Sequence, residues 1–297
     1  MAELRIRRLG YALGAQVTGV DLARPISDDM VAEIRRAWNQ HIMLCFPGQN
    51  LDAAQMASAC RRFGELDDNR HSPELRHPSH PDVMNVVNKP TARVGGRPAV
   101  NVTADLWHTD FSHHERPTLI SLLLAKVLPD VGGDTMFANM YMAYDALSNT
   151  FKGLIDPLSA VHDYSLGPLY AKSSPEQQAK SKLLNPPVIH PLVRTHPETG
   201  RRALYLSSKI RYFVGMTENE SRPLIDFLYV HATTPPFVYR HRWTVDDFAL
   251  WDNRCSMHAA IGDYDKSQTR SMLRCSLLGP KCGKIVCDMS DSSPTVL

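Results

Sequence analysis

Beyond residue 118 the chain is cut into short apolar runs, at 119–125, 135–138, 188–195, 203–207, 245–251 and 270–278, with Gly132-Gly133 and His196-Pro197-Glu198-Thr199-Gly200 among the separators. Runs this short, alternating or continuously apolar and bounded by turn residues, read as strands rather than helices. Strands bury an apolar side only by stacking into sheets, so the pattern predicts a fold that is mainly β with flanking helices, a sandwich or jelly roll. The 188–195 and 203–207 runs are expected to pair across the Pro/Gly loop between them.

Helices are expected around this β core. One begins after Ser27 and puts Met30, Val31, Ile34, Ala37, Trp38 and His41 three and four apart; another runs from Asp52, with Gln55 as a capping-box partner, to Gly64. A third follows Asn139, with Tyr144, Leu147, Phe151 and Leu154 on one face, and a fourth spans 217–231, where Pro223 blurs the start. Residues 42–47 read as a strand between the first two helices. A length of 297 residues without internal repeats fits one domain over 1–297, with a helical N-terminal part at about 1–70. Two poorly patterned stretches, about 67–105 and 165–187, are expected as lids over a site, and about 281–297 as a flexible tail.

Charge excludes whole classes of partner. With 33 basic and 31 acidic residues the net charge is +2, which provides no footprint for nucleic acid or an anionic membrane, so any anion site must be local. The longest apolar stretch, 119–125, is interrupted by Ser121 and too short to span a bilayer, and no apolar run follows the basic N-terminus. Six cysteines without CxxC spacing rule out a zinc ribbon and point to a reducing, cytoplasmic setting.

Histidine carries the chemical signal. Two ligands at positions i and i+2 of a strand share a face, so His-x-Asp suits a metal. Among 13 histidines, about one such pair arises by chance, and context must separate the four His-x-acid pairs present. His80/Asp82, His113/Glu115 and His196/Glu198 sit beside prolines and read as solvated loops. His108/Asp110 lies between Trp107 and Phe111, whose apolar flanks would exclude water. A further candidate, His258, follows Trp251-Asp252-Asn253-Arg254. On 270–278, strand alternation puts Arg270, Met272 and Arg274 on one face. If that face is inward, two guanidinium groups need two anions; if outward, both are solvated.

Taken in order, Trp107-His108-Thr109-Asp110, Gly132-Gly133-Asp134-Thr135, Trp251-Asp252-Asn253-Arg254 with His258, and Arg270 with Arg274 resemble the TauD/TfdA family of Fe(II)- and 2-oxoglutarate-dependent dioxygenases. The resemblance extends through residues 14–20, Phe46-Pro47-Gly48-Gln49, Phe63-Gly64-Glu65-Leu66 and residues 190–197, nearly the whole chain. It implies a double-stranded β-helix (jelly-roll) core with His108, Asp110 and His258 as iron ligands, an arrangement that leaves positions open at the metal. It further implies that Thr135 and Arg270 meet the far carboxylate of 2-oxoglutarate, with Trp243 in the same pocket, and that Arg274 holds the anionic group of the substrate. The reaction implied consumes O2 and 2-oxoglutarate, releases succinate and CO2, and hydroxylates a C–H bond of a small organic anion. An intact Asp110 implies hydroxylation rather than halogenation.

The chain departs from the taurine enzymes at two places. The His after the Gly-Glu-Leu motif corresponds only to His71, followed three residues on by Glu74 instead of Tyr, and Ala104 stands where an Asn is expected. The position of Arg274 in the resemblance implies a sulfonate-like anion as the substrate, with His71 in its subsite and aryloxyalkanoates and alkyl sulfates as the alternatives. Family members commonly form homo-oligomers. Two readings from other classes remain at this level: a zinc hydrolase on the same three ligands, which would leave Thr135 and Arg270 without a role, and a non-catalytic sandwich module.

Overall fold

The computed structural model describes residues 4–70, 72–88, 92–94, 97–99 and 106–286. Strands β1 (Arg5–Arg8) and β2 (Ala15–Thr18) form an N-terminal hairpin. Helix α1 (Asp28–His41) is capped by Ser27, whose hydroxyl accepts from the Met30 N–H, and buries Ile34, Ala37 and Trp38. After β3 (Met43–Phe46), helix α2 (Ala53–Arg61) starts at the reciprocal Asp52–Gln55 box that the spacing predicts. Strands β4 (Arg76–His77), β5 (His80–Asn88), β6 (Ala92–Val94), β7 (Arg97–Ala99), β8 (Thr118–Val127) and β9 (Thr135–Asn139) follow. Next come α3 (Met140–Asp145), α4 (Asn149–Ile155), β10 (Ser159–His162), α5 (Pro168–Ala171) and α6 (Pro175–Leu184). The last third holds β11 (Val188–Pro191), β12 (Val193–Thr195), β13 (Arg202–Leu204), β14 (Ile210–Phe213), α7 (Glu218–Ala232), β15 (Val238–His241), β16 (Phe248–Asp252), β17 (Ser256–Ala260), β18 (Arg270–Leu278) and β19 (Lys284–Ile285).

One sheet dominates, with strand order β1-β2-β3-β16-β8-β18-β5-β4; smaller sheets are β15-β9-β17, β14-β10-β11-β19, β12-β13 and β6-β7. Alternation along the central strands sorts side chains to two cores. Ile120, Leu122 and Leu124 of β8, Phe248 and Leu250 of β16, and Cys275 and Leu277 of β18 pack with Trp38, Met56 and Phe63 of the N-terminal helical region. The opposite face carries Leu123, Ala249, Trp251 and Met272, which pack against Phe137, Ala138 and Met257 of the β15-β9-β17 sheet. Because both faces of β8 are covered, its middle is apolar on successive residues rather than alternating, with Ser121 as the exception. Each fully buried large side chain of these layers contributes roughly 1.5–3 kcal/mol.

Met272 in this second core decides the side on which Arg270 and Arg274 lie: their face of β18 is the inner one. Several expectations need correction. The 188–195 run is two strands, since Leu192 divides it: β11 pairs with β10 and β19, and only β12 pairs with β13. The helix after Asn139 is broken at Ser148, whose hydroxyl caps α4, and Leu154 is exposed. The 245–251 strand starts only at Phe248, because Asp246 has φ of 64° and Asp247 folds back to accept from the Thr244 N–H. The 165–187 stretch is helical, its α6 nucleated by a Ser174–Gln177 capping box. Within 67–105, β5 is a full strand of the main sheet; within 281–297, Lys284 and Ile285 pair with β11, and residues 287–297 lie outside the described residues. Residues 1–70 hold α1 and α2 with β3 between them, as expected, and also add β1 and β2 to the main sheet. Among the described residues, no helix is long and apolar enough to cross a membrane.

Candidate metal centre

His108 precedes β8 and forms an isolated antiparallel bridge with His258 of β17: each donates its N–H to the other's carbonyl, at 3.0 and 2.9 Å. Opposed residues of such a bridge project to the same side, and the two rings stand 4.2 Å apart. Asp110 reaches the same point, with Oδ1 3.6 Å from His108 Nε2 and Oδ2 3.5 Å from His258 Nε2. One ligand atom from each residue lies within 4.8 Å of the others. Atoms bound about 2.1 Å from one ion stand roughly 3–4 Å apart, so the spacing fits a shared metal.

The protonation states fit as well. His108 Nδ1 donates to the Leu106 carbonyl at 2.7 Å, which orients the ring with Nε2 facing Asp110. Burial, reinforced by His108 and Arg274 against Asp110, lowers His258 to about 3, so its ring is neutral at physiological pH. Burial alone would raise Asp110, but Arg274, His258 and His108 outweigh it and hold the carboxyl well below the usual range. A neutral His258 imidazole and an ionised Asp110 carboxylate converge with His108, a donor set that suits a cation.

Around the carboxylate, Arg274 Nη2 lies 2.9 Å from Asp110 Oδ2, and its guanidinium is 5.5 Å from the Phe111 ring. Ser121 Oγ donates to Oδ2 at 2.5 Å and accepts from Asn253 Nδ2 at 2.9 Å. Sequence reading passed over both residues: Ser121 stood out only as an interruption of an apolar strand, and Asn253 only as one letter of a motif.

A second cluster lies at the start of β9 and β18. Trp243 Nε1 donates to Thr135 Oγ1 at 3.0 Å, and Arg270 Nε donates to the Gly133 carbonyl at 2.9 Å. Arg270 is 5% exposed and forms no ion pair with any described residue. Burial lowers its pKa against the pull of Tyr264 and Asp134, the condition of a guanidinium that lacks its anion. The turn is built for this approach: Gly133 has φ of +74°, and a Cβ there would stand 3.3 Å from Arg270 Cδ.

The other His-x-acid pairs are not the solvated loops expected. His196 is buried and lies 3.1 Å from Asp252, whose carboxylate is also gripped by Arg254 at 2.6 Å. The reason is tertiary: the β12–β13 loop folds against the Asp252 turn. His113 is buried too, against Tyr164, and His80/Asp82 opens strand β5, with Asp82 paired to Arg61. Two further groups bring ligand-type atoms together, Cys45/His241/Asp247 and His196/Asp252/Cys255. All six residues are buried; burial pushes both thiols up, and Arg254 already occupies Asp252, so neither presents an open face. His71 lies outside the described residues. A cavity of about 550 Å³, with Asp67, Arg70, His113, His114 and Asn185 in its wall, has none of the three ligands in its lining.

Residues 5–276 match the family described as taurine catabolism dioxygenase TauD, TfdA family. The chain belongs to the TauD/TfdA family. It is accordingly a 2-oxoglutarate-dependent dioxygenase that uses Fe(II), 2-oxoglutarate and O2. TauD/TfdA relatives include the alpha-ketoglutarate-dependent 2,4-dichlorophenoxyacetate dioxygenase of Burkholderia sp. (strain RASC), 35% identical over 90% of this chain and 92% of the relative. The (S)-phenoxypropionate/alpha-ketoglutarate-dioxygenase of Sphingobium herbicidovorans is 34% identical over 92% and 94% of the two chains. An alkylsulfatase of Acinetobacter baylyi is 31% identical over 93% of this chain and 86% of its own. Among solved TauD/TfdA structures, AAD-2 in complex with Mn(II) and N-oxalylglycine superposes with a TM-score of 0.80 at 32% identity, covering 94% of this chain and 99% of that one.

Proposed function

We propose that the chain hydroxylates a C–H bond of a small organic anion while 2-oxoglutarate is decarboxylated to succinate and CO2. In this reading His108, Asp110 and His258 hold Fe(II), which supplies the oxygen-activating redox chemistry when bound. The observation that carries it is the convergence of these three ligand atoms within 4.8 Å, with one side chain, His108, reaching toward solvent. Thr135, Arg270 and Trp243 receive the far carboxylate of 2-oxoglutarate. Since Trp243 occupies a lone pair of Thr135 Oγ1, the hydroxyl proton is left to donate to that carboxylate. Since Arg270 spends Nε on Gly133, its two terminal nitrogens remain as a fork.

Arg274 receives the anionic group of the substrate, and Phe111 beside it supplies an aromatic wall. Sulfonates, aryloxyalkanoates and alkyl sulfates are the classes to test, the last two supported by the names of the relatives above. His71, by its place after the Gly-Glu-Leu motif, is assigned to the same subsite in this reading. The main sheet and the β15-β9-β17 sheet, facing each other across one core, support a double-stranded β-helix within one domain over 1–297.

The deciding experiment measures substrate-stimulated succinate release with phenoxyacetates, alkyl sulfates and alkyl sulfonates. His108→Ala and Asp110→Ala are expected to abolish it; retained turnover in either would sink the ligand assignment. Anaerobic Fe(II) with 2-oxoglutarate is expected to give a visible charge-transfer band, which a zinc hydrolase lacks.

A further inference from the structure

We propose that Ser121 and Asn253 are positioning residues that hold the Asp110 carboxylate in the orientation in which it meets the metal. The proposal rests on the reading of Asp110 as an iron ligand.

An ionised carboxylate only accepts, so in the 2.5 Å contact the Ser121 hydroxyl must donate to Asp110 Oδ2. The hydroxyl oxygen then accepts from Asn253 Nδ2 at 2.9 Å, and Asn253 Oδ1 accepts from the Asp110 backbone N–H at 3.3 Å. The amide can face only one way. Flipped, its NH2 would oppose the Asp110 N–H, and its oxygen would draw the Ser121 proton away from the carboxylate. Asp110, Asn253 and Ser121 thus close a loop of three hydrogen bonds, and all three residues are buried.

Arg274 Nη2 also reaches Oδ2, at 2.9 Å. Ser121 thus commits a lone pair of Oδ2, and the Arg274 charge beside it holds the carboxylate further in place. Oδ1 stands 3.6 Å from His108 Nε2 and Oδ2 3.5 Å from His258 Nε2, so the held carboxylate faces both histidines. With its orientation fixed, the carboxylate would leave the remaining positions of a bound metal for 2-oxoglutarate and oxygen. The support is rigid: Ser121 sits mid-strand in β8, Asn253 N–H donates to the Leu119 carbonyl at 3.0 Å, and the neighbouring Asp252 is locked by Arg254 and His196.

The test compares Ser121→Ala, Asn253→Ala, their double variant and Asp110→Ala, each checked for melting temperature. The readouts are Mn(II) affinity by electron paramagnetic resonance and the absorption band of the anaerobic Fe(II)–2-oxoglutarate complex. Each single Ser121 or Asn253 variant is expected to weaken Mn(II) binding about 10- to 100-fold and shift the band while remaining folded. The double variant should lose less than the product of the two, because both act on one carboxylate. Wild-type affinity and band in Ser121→Ala and Asn253→Ala, with binding lost in Asp110→Ala, would overturn the positioning roles and leave the ligand reading intact. A full product in the double variant would break the loop into independent effects and overturn it too. Wild-type Mn(II) binding by Asp110→Ala would remove the ligand reading itself.

Discussion

Arg270 and Arg274 share one face of β18, yet their surroundings differ: Arg274 pairs with Asp110, while Arg270 is buried without an ion pair to any described residue. Charge-assisted contacts to an anion contribute about 1.5–3 kcal/mol, a factor of roughly 10 to 100 in affinity. Arg270→Ala is expected to raise the KM for 2-oxoglutarate by that factor with little change for the prime substrate. Arg274→Ala should do the reverse, and steady-state kinetics with each substrate varied in turn separates them. Equal rises in both constants for either variant would mean that the side chain is structural.

At the level of elements, the turn into β9 is what lets Arg270 lie flat against the backbone. Gly132 and Gly133 both have positive φ, and a methyl at Gly133 would crowd Pro129 at 3.2 Å as well as Arg270. Gly133→Ala is expected to cost about 1–2 kcal/mol of stability from the left-handed backbone alone. It should also raise the KM for 2-oxoglutarate about tenfold by displacing the guanidinium. Thermal melts and kinetics on one preparation check both; an unchanged KM would show that Arg270 tolerates a shifted turn. The α6 region illustrates the opposite case, in which a stretch poor in apolar pattern is still helical. Its capping box and Pro175 at the first position start a helix that buries none of its side chains.

For the molecule as a whole, stability at low pH is set by histidines that are buried without charge. His190 donates from Nε2 to the His114 carbonyl and accepts at Nδ1 from Arg194, so its ring must be neutral. Burial, with Arg194, lowers it to about 3, and burial, with His190 and Arg194, lowers His162 well below the ordinary histidine value. Unfolded, each takes up a proton near pH 6.5. Between that value and the folded pKa the unfolded chain binds more protons, so stability is complete above pH 6.5 and is lost as pH falls. Each such group contributes up to about 1.4 kcal/mol per pH unit. Urea unfolding of wild type and His190→Gln from pH 7.5 to 5 should therefore show a shallower loss in the variant; parallel curves would contradict a neutral buried His190.

Local pattern alone carried the caps at Ser27 and Asp52, the strands β3, β8 and β9, and the shared face of Arg270, Met272 and Arg274; it offered His108, Asp110 and His258 as candidates, and the resemblance of the whole motif series joined them into one ligand set. The caps, strands and shared face depend on neighbours within a few residues, where spacing determines which side chains share a face. Tertiary structure alone decided that this face is inward, that Leu192 splits a strand between two sheets, and that His196 is buried against Asp252. The same holds for Ser121 and Asn253, which are far apart along the chain and meet at Asp110 only because β8 and the turn after β16 are neighbours in the folded sheet. A hydroxyl in an apolar strand announces no partner; its role exists only once another segment supplies the acid it must satisfy.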